Sequence, residues 1–306
     1  MEWVSAAKWL LGGFAGLGAG IVGLLAYFQE SLLYVPVVPG QRSREYERLP
    51  DAVGLEYEDV NLLADDGVAL HSWLAWDSRF ERRGGPAVLV LQENAGSIAL
   101  RLPFAADLAR KLSARAVCLL SYRGYGQSAG SPSEEGLKRD ARAALDHLRS
   151  RPGIDPDNIV VFGRSLGGAV AAHTAVREQG AIRALILENS FTSVLDMASR
   201  IFSPLALLVG SSGFKPLNRV VRNPWRTIDI ISSLQVPTLF ISGKADQVVP
   251  PSHMRELYRR APKHLRAFVG LKTGGHMDCF EAEKTRYWSA IIDFLVSCGA
   301  FKGTAG

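Results

Sequence analysis

The stretch that decides the fold begins at Ile159: Ile159-Val160-Val161-Phe162-Gly163-Arg164-Ser165-Leu166-Gly167-Gly168-Ala169-Val170-Ala171-Ala172. Four consecutive apolar residues read as a strand buried on both faces. The alanine-rich run after Leu166 reads as a helix packed against it. Between them, Gly-Arg-Ser-Leu-Gly matches the G-x-S-x-G turn that lifts a serine hydroxyl clear of a strand end. Its glycines spare the sharp turn from side-chain clashes. The pattern occurs twice, because Gly126-Gln127-Ser128-Ala129-Gly130 fits as well. Ser128, however, follows a loop beyond Ser121-Tyr122 and leads into Gly-Ser-Pro rather than a helix. Ser165 is the candidate nucleophile and Ser128 a loop serine.

Outward from this point, apolar runs alternate with helical patterns. Residues 59–63 and 68–76 predict a strand pair around Ala64-Asp65-Asp66-Gly67, where Asp-Gly is a strong hairpin signal. Further strands are predicted at 87–91, 116–120, 159–162, 182–187, 237–241 and 265–269. Helices are predicted at 98–112, from a Ser131 cap with Pro132 in its first position, at 166–177, after Pro250, and at 280–296. Such alternation implies a mostly parallel central sheet with helices on both faces, an α/β fold. Residues 191–225 break the rhythm and read as an inserted cap.

A serine needs a base to take its proton and an acid to orient that base, here in the chain order Ser, acid, His. Among the six histidines, His71, His147 and His173 come early or fall on strand and helix faces. His253 and His264 lie in or beside the helix after Pro250. His276 sits in the loop Thr273-Gly274-Gly275-His276 between the last strand and the last helix, and is the candidate base. Asp246 closes the preceding strand and is the candidate acid, although its carboxylate could also serve as a helix cap. Asp278 is nearer in sequence, but neighbours in one loop rarely make the Nδ1 hydrogen bond.

The N-terminus reads differently. Residues 9–28 contain no charge, and twenty residues of helix span about 30 Å, the thickness of a bilayer core. The run exceeds a signal-peptide core and no small-x-small cleavage site follows it. A retained single-pass anchor in residues 1–30 is expected, followed by one α/β domain over 31–306 with its cap at about 191–225. Arg42, Arg44 and Arg48 lean the body toward the cytosolic side. Arg200, Lys215, Arg219, Arg222 and Arg226, without an acidic residue between Asp196 and Asp229, suggest a basic cap face toward the lipid.

The 306 residues are 47% hydrophobic and 21% charged, a globular mix that excludes disorder, collagen and coiled coil. Three cysteines, Cys118, Cys279 and Cys298, form no CxxC pair, so no zinc site or disulfide scaffold is expected. A net charge of +5 without an arginine-rich tract argues against a nucleic-acid partner. Gly124-Tyr125-Gly126 lacks the third glycine and the helix of a dinucleotide loop, so no cofactor is expected. The oligomeric state is left open.

The chain resembles α/β-hydrolase-domain proteins of the plant wavy-growth type, related to fungal bud-emergence hydrolases. The stretches that carry the resemblance are Phe28-Gln29-Glu30, Leu33-Tyr34-Val35-Pro36, Gln92-Glu93-Asn94-Ala95-Gly96, Ser121-Tyr122-Arg123-Gly124-Tyr125-Gly126, residues 163–168 and Val249-Pro250-Pro251-Ser252-His253-Met254. It implies the α/β-hydrolase fold and a membrane-bound serine hydrolase with Ser165, Asp246 and His276 as triad. Some related hydrolases remove palmitate from protein cysteines, so an acylated protein or a lipid ester is the implied substrate class. Fungal and animal relatives carry His-Gly where this chain has Gln92-Glu93. That loop should supply one oxyanion-hole N–H, from Asn94, with Leu166 supplying the other. A carboxylate at Glu93 would repel a developing oxyanion if it pointed inward. The alternatives are therefore a fold-retaining signalling or scaffold protein without turnover and a serine peptidase, since triads also cleave amides.

Overall fold

The computed structural model describes residues 26–38, 45–79, 84–201 and 216–301, with Gly20 and Gly23. Strand β1 (Glu56–Leu63) pairs antiparallel with β2 (Ala69–Trp76) across the expected turn, where Gly67 has φ 80°. β2 in turn pairs antiparallel with β4 (Ala116–Leu120). From β4 the sheet continues in parallel through β3 (Ala87–Leu91), β5 (Ile159–Arg164), β6 (Ala184–Glu188), β7 (Thr238–Gly243) and β8 (Arg266–Leu271). The outer edge strand β1 carries Glu56, Glu58 and Asp59.

The strands that read as continuous apolar runs are those buried on both faces. Leu89, Leu91, Val161, Leu185, Leu187 and Phe240 point to one side. There they meet α3 (Glu134–Ser150), α4 (Leu166–Arg177) and α7 (Pro251–Arg260). Val88, Val90, Val160, Phe162, Ile186 and Ile241 point to the other. They meet α2 (Leu102–Lys111), α8 (Cys279–Ala282) and α9 (Lys284–Ser297). The period of two along each strand separates the two cores. The chain runs from β3 outward to β4 and returns to β5 beside β3, so the strand order reverses between β3 and β5. The crevice beyond the carboxyl ends of those two strands is where sheets of this type bind ligands.

Three expected elements begin or divide differently. The cap of α3 is Ser133, whose Oγ accepts from the Gly136 N–H at 3.1 Å, so Ser131 and Pro132 precede the helix. The helix expected at 98–112 opens with a 3-10 turn, Ile98–Arg101, before Pro103 fixes the first turn of α2. The last helix is divided at Glu283, which leaves helical geometry at φ −128°, ψ 53° while its carboxylate accepts from the Thr273 N–H at 2.7 Å.

Between β6 and β7 lie α5 (Val194–Ile201), a 3-10 turn (Pro216–Val220) and α6 (Thr227–Ile230). Residues 202–215 of the expected cap, including Lys215, lie outside the described residues. So does most of the expected span at 9–28. Among the described residues no helix is long and apolar enough to cross a membrane. Residues 26–33 are helical and form α1, which leads into the buried Tyr34.

Candidate active site

Ser165 stands at the apex between β5 and α4 with φ 55° and ψ −119°, a region that costs a non-glycine residue about 1–3 kcal/mol and persists only where the surroundings enforce it. The enforcement is visible. Ser165 N–H donates to the Glu188 carbonyl at 2.9 Å, and Ser190 Oγ donates to the Ser165 carbonyl at 3.0 Å. A Cβ on Gly167 would lie 1.9 Å from the Leu91 carbonyl oxygen, so only glycine lets the first turn of α4 press against the end of β3. Gly163 is equally necessary, since a Cβ there would meet the Gly167 carbonyl oxygen at 2.2 Å.

His276 and Asp246 are brought together from separate loops. His276 Nδ1 lies 2.8 Å from Asp246 Oδ2. Asp246 Oδ1 accepts from the N–H groups of Val248 and Val249 at 2.8 and 2.9 Å. This fixes the carboxylate by its own loop; α7 starts later, after Pro250, so Asp246 is not its cap. Asp278 instead accepts from the Gly275 N–H at 2.6 Å and shapes the turn before His276. Among the described residues no hydrogen bond joins Ser165 Oγ to His276; such bonds are often long without substrate and tighten on binding.

The loop after β3 runs through Gln92, Glu93 and Asn94. Asn94 N–H, and Leu166 N–H in the first turn of α4 where no intrahelical acceptor exists, have no acceptor among the described residues. Glu93 does not oppose them with a free charge. Its buried carboxylate pairs with Arg164 at 3.0 Å and with Arg101. Arg164 also binds Glu188 at 2.8 Å, and Tyr287 OH donates to Glu188 at 2.6 Å. The Arg164 guanidinium lies 4.8 Å from the centre of the Phe104 ring. Two carboxylates and two guanidiniums thus form a buried cluster with no net charge. Burial alone would push the Glu93 carboxyl up, but Arg101 and Arg164 overcome it and hold the group below its ordinary range.

Sequence reasoning missed Asn189, which lies just past β6 at φ 46°. Its Nδ2 donates to the carbonyls of Gly275 at 2.8 Å and His276 at 3.1 Å, and its Oδ1 accepts from Gly243 N–H at 2.8 Å. One side chain therefore ties the base loop to the strand end that carries Asp246. The available signal was position: Glu188-Asn189-Ser190 is a polar run immediately after a buried parallel strand, at the edge where sites form.

The second G-x-S-x-G serves the scaffold. Ser128 Oγ donates to the Ser121 carbonyl at 2.6 Å and accepts from His71 N–H at 2.8 Å, stitching the end of β4 to β2. His71 itself bridges Tyr46 and Asp59. His253 accepts from Thr192 N–H through Nδ1 at 3.2 Å, and burial lowers its pKa to about 4.

The comparisons agree with this architecture. The prolyl oligopeptidase family model matches residues 134–278. The α/β hydrolase domain-containing protein WAV2 of Arabidopsis thaliana is 47% identical over 288 residues, covering 92% of each chain. The protein bem46 of Schizosaccharomyces pombe is 36% identical, covering 92% of this chain and 91% of its own. An uncharacterized membrane protein of Saccharomyces cerevisiae is 34% identical, covering 96% and 98%. Among solved structures, an esterase of Pyrococcus furiosus superposes with a TM-score of 0.67 over 87% of this chain and 97% of its own, at 19% identity. The last likeness shows the fold. With the site at the switch point of an α/β-hydrolase sheet and these relatives matched along nearly their whole length, the chain belongs to the α/β-hydrolase family that includes WAV2 and bem46.

Proposed function

We propose that this protein is a membrane-anchored serine hydrolase that cleaves an ester or thioester, with protein S-palmitoyl thioesters within its substrate class. The observation that carries this reading is the strained Ser165 backbone at the elbow, in a site where His276 and Asp246 meet at 2.8 Å. In this mechanism His276 Nε2 takes the Ser165 proton as Oγ attacks the acyl carbon. Asp246, bonded at Nδ1, holds the tautomer and stabilises the imidazolium. The N–H groups of Asn94 and Leu166 receive the oxyanion, His276 protonates the leaving alcohol or thiol, and water then releases the acid by the same steps. Strain at Ser165 holds the hydroxyl in place before substrate arrives, so little reorganisation remains for the reaction itself.

The anchor reading rests on the uncharged run at 9–28 and on the yeast relative described as a membrane protein. Glu93, which motivated the inactive scaffold alternative, is neutralised by Arg101 and Arg164 and does not favour it. A peptidase reading draws on the prolyl oligopeptidase match. The test is labelling of the full chain in native membranes with a fluorophosphonate, alongside turnover of a palmitoyl thioester, a short-chain ester and a peptide amide. Labelling should vanish in Ser165→Ala and persist in Ser128→Ala, with thioester and ester turned over faster than amide. Labelling that survives Ser165→Ala, or none in the wild type, would defeat the proposal.

A further inference from the structure

The loop that bears Asn94 is held from two sides. From within the body, Tyr122 OH donates to the Gln92 carbonyl at 3.1 Å. Tyr125 OH donates to the Asn94 carbonyl at 2.7 Å, and Arg101 to the Ala95 carbonyl at 2.8 Å. The other side is supplied by the N-terminal segment. Val35 N–H donates to the Asn94 carbonyl at 2.9 Å, and Gly96 N–H donates back to the Val35 carbonyl at 3.0 Å, a parallel bridge between Val35 and Ala95. Asn94 Nδ2 adds a third bond, to the Leu33 carbonyl at 3.0 Å.

The segment has its own footing beside this loop. Tyr34 is 2% exposed, and its hydroxyl donates to Asn223 Oδ1 at 3.3 Å and accepts from Trp225 Nε1 at 3.0 Å. Gln29 Oε1 accepts from Arg222 N–H at 2.7 Å, and Glu30 lies 3.3 Å from the Arg222 guanidinium. Arg222, expected on a basic face toward lipid, is thus engaged with α1. Burial of an aromatic ring contributes far more than an exposed ion pair, so Tyr34 is the principal anchor of the contact.

We propose that residues 26–35 are a working part of the active site: docked through Tyr34, they clamp the loop carrying Asn94 and so position its N–H for the oxyanion. The inference rests on the hydrolase reading above. It makes Val35 and Tyr34 positioning residues and places the catalytic body under the control of the segment adjoining the expected membrane span.

The experiment uses the full chain in detergent, with a p-nitrophenyl ester as substrate. Val35→Pro removes the N–H that binds the Asn94 carbonyl, whereas Val35→Ala keeps both backbone groups. Loss of a whole oxyanion donor costs about 100- to 1000-fold, so a loosened one should lower kcat by about 10- to 100-fold with KM within about threefold. Val35→Ala, the conservative variant, should recover the kcat that Val35→Pro loses, since its backbone N–H and carbonyl are kept. Amide exchange in residues 92–97 should rise in Val35→Pro while that in 159–168 stays as in wild type. A wild-type kcat in a folded Val35→Pro variant would overturn the proposal and leave the hydrolase reading intact. A wild type that neither reacts with fluorophosphonate nor turns over the ester would overturn both. If Val35→Pro loses protection throughout, Tyr34→Leu, which removes the buried ring and both hydroxyl bonds, takes its place, and an unchanged kcat there would overturn the proposal.

Discussion

Asn189 Nδ2 lies 3.1 Å from the backbone carbonyl oxygen of His276, and this bond fixes the height of the base above the sheet. The side chain can do so because β6 delivers it into the space between the two loops that follow β7 and β8. A misplacement of about 1 Å in a catalytic group can cost about 100-fold. Asn189→Asp keeps the acceptor for Gly243 N–H and loses both donors. It should lower kcat by about 10- to 100-fold with KM little changed. A parallel rise in KM with constant kcat would place Asn189 in substrate binding instead.

Asp246 and Asp278 both stand near His276 in sequence or space, but only Asp246 reaches its ring. Asp246→Asn should lower kcat by about four orders of magnitude, as expected when the imidazole loses its orienting carboxylate. Asp278→Asn should cost less than about tenfold, since it alters one turn bond and leaves the Nδ1 partner in place. Steady-state kinetics of the two variants would decide between them, and a larger loss at Asp278 would reverse the assignment.

The cluster of Glu93, Arg101, Arg164 and Glu188 balances only as a set. Glu93→Gln strands buried positive charge on Arg101, and removing one partner of a buried pair costs about 3–5 kcal/mol. Urea unfolding should show a loss of that size. A change below about 1 kcal/mol would mean that the ring of charges relaxes into contact with water.

His173 packs its ring 5.6 Å from that of Trp225, and its Nε2 is buried without a hydrogen-bond partner among the described residues. Burial, helped by the nearby Lys138, lowers its pKa from 6.5 to about 3. Because the folded value lies below the unfolded one, the unfolded chain binds the proton first as pH falls. Stability is therefore lost from about pH 6.5 downward. His253 acts in the same direction. Asp140, whose pKa burial raises to about 6, opposes them, since the folded form takes that proton first. His173→Phe should narrow the difference in urea midpoint between about pH 7 and about pH 5. An unchanged difference would show that His173 meets water.

Much of the sheet was legible because its strands are buried on both faces. Residues 87–91 and 116–120 carry unbroken apolar runs and form β3 and β4 over the same residues. The elbow was legible because strand, glycines and helix had to be adjacent in sequence. Asn189 was not, since its role depends on two loops that follow β7 and β8, far along the chain. The pairing of Glu93 was not legible for the same reason. Its partners Arg101, in the 3-10 turn before α2, and Arg164, at the end of β5, meet it only in the folded chain, and nothing local in Gln92-Glu93-Asn94 announces them.

The edge of the sheet has a consequence for how two molecules can meet. Along β1, Glu56, Glu58 and Asp59 lie within four residues of one another, and an edge strand is open to pairing with a second copy of itself. Antiparallel self-pairing centred on those residues would set carboxylates directly across from carboxylates, a destabilising arrangement in any ladder. Sheet extension through this edge is thus disfavoured from the start, and chains crowded together could approach there without merging their sheets.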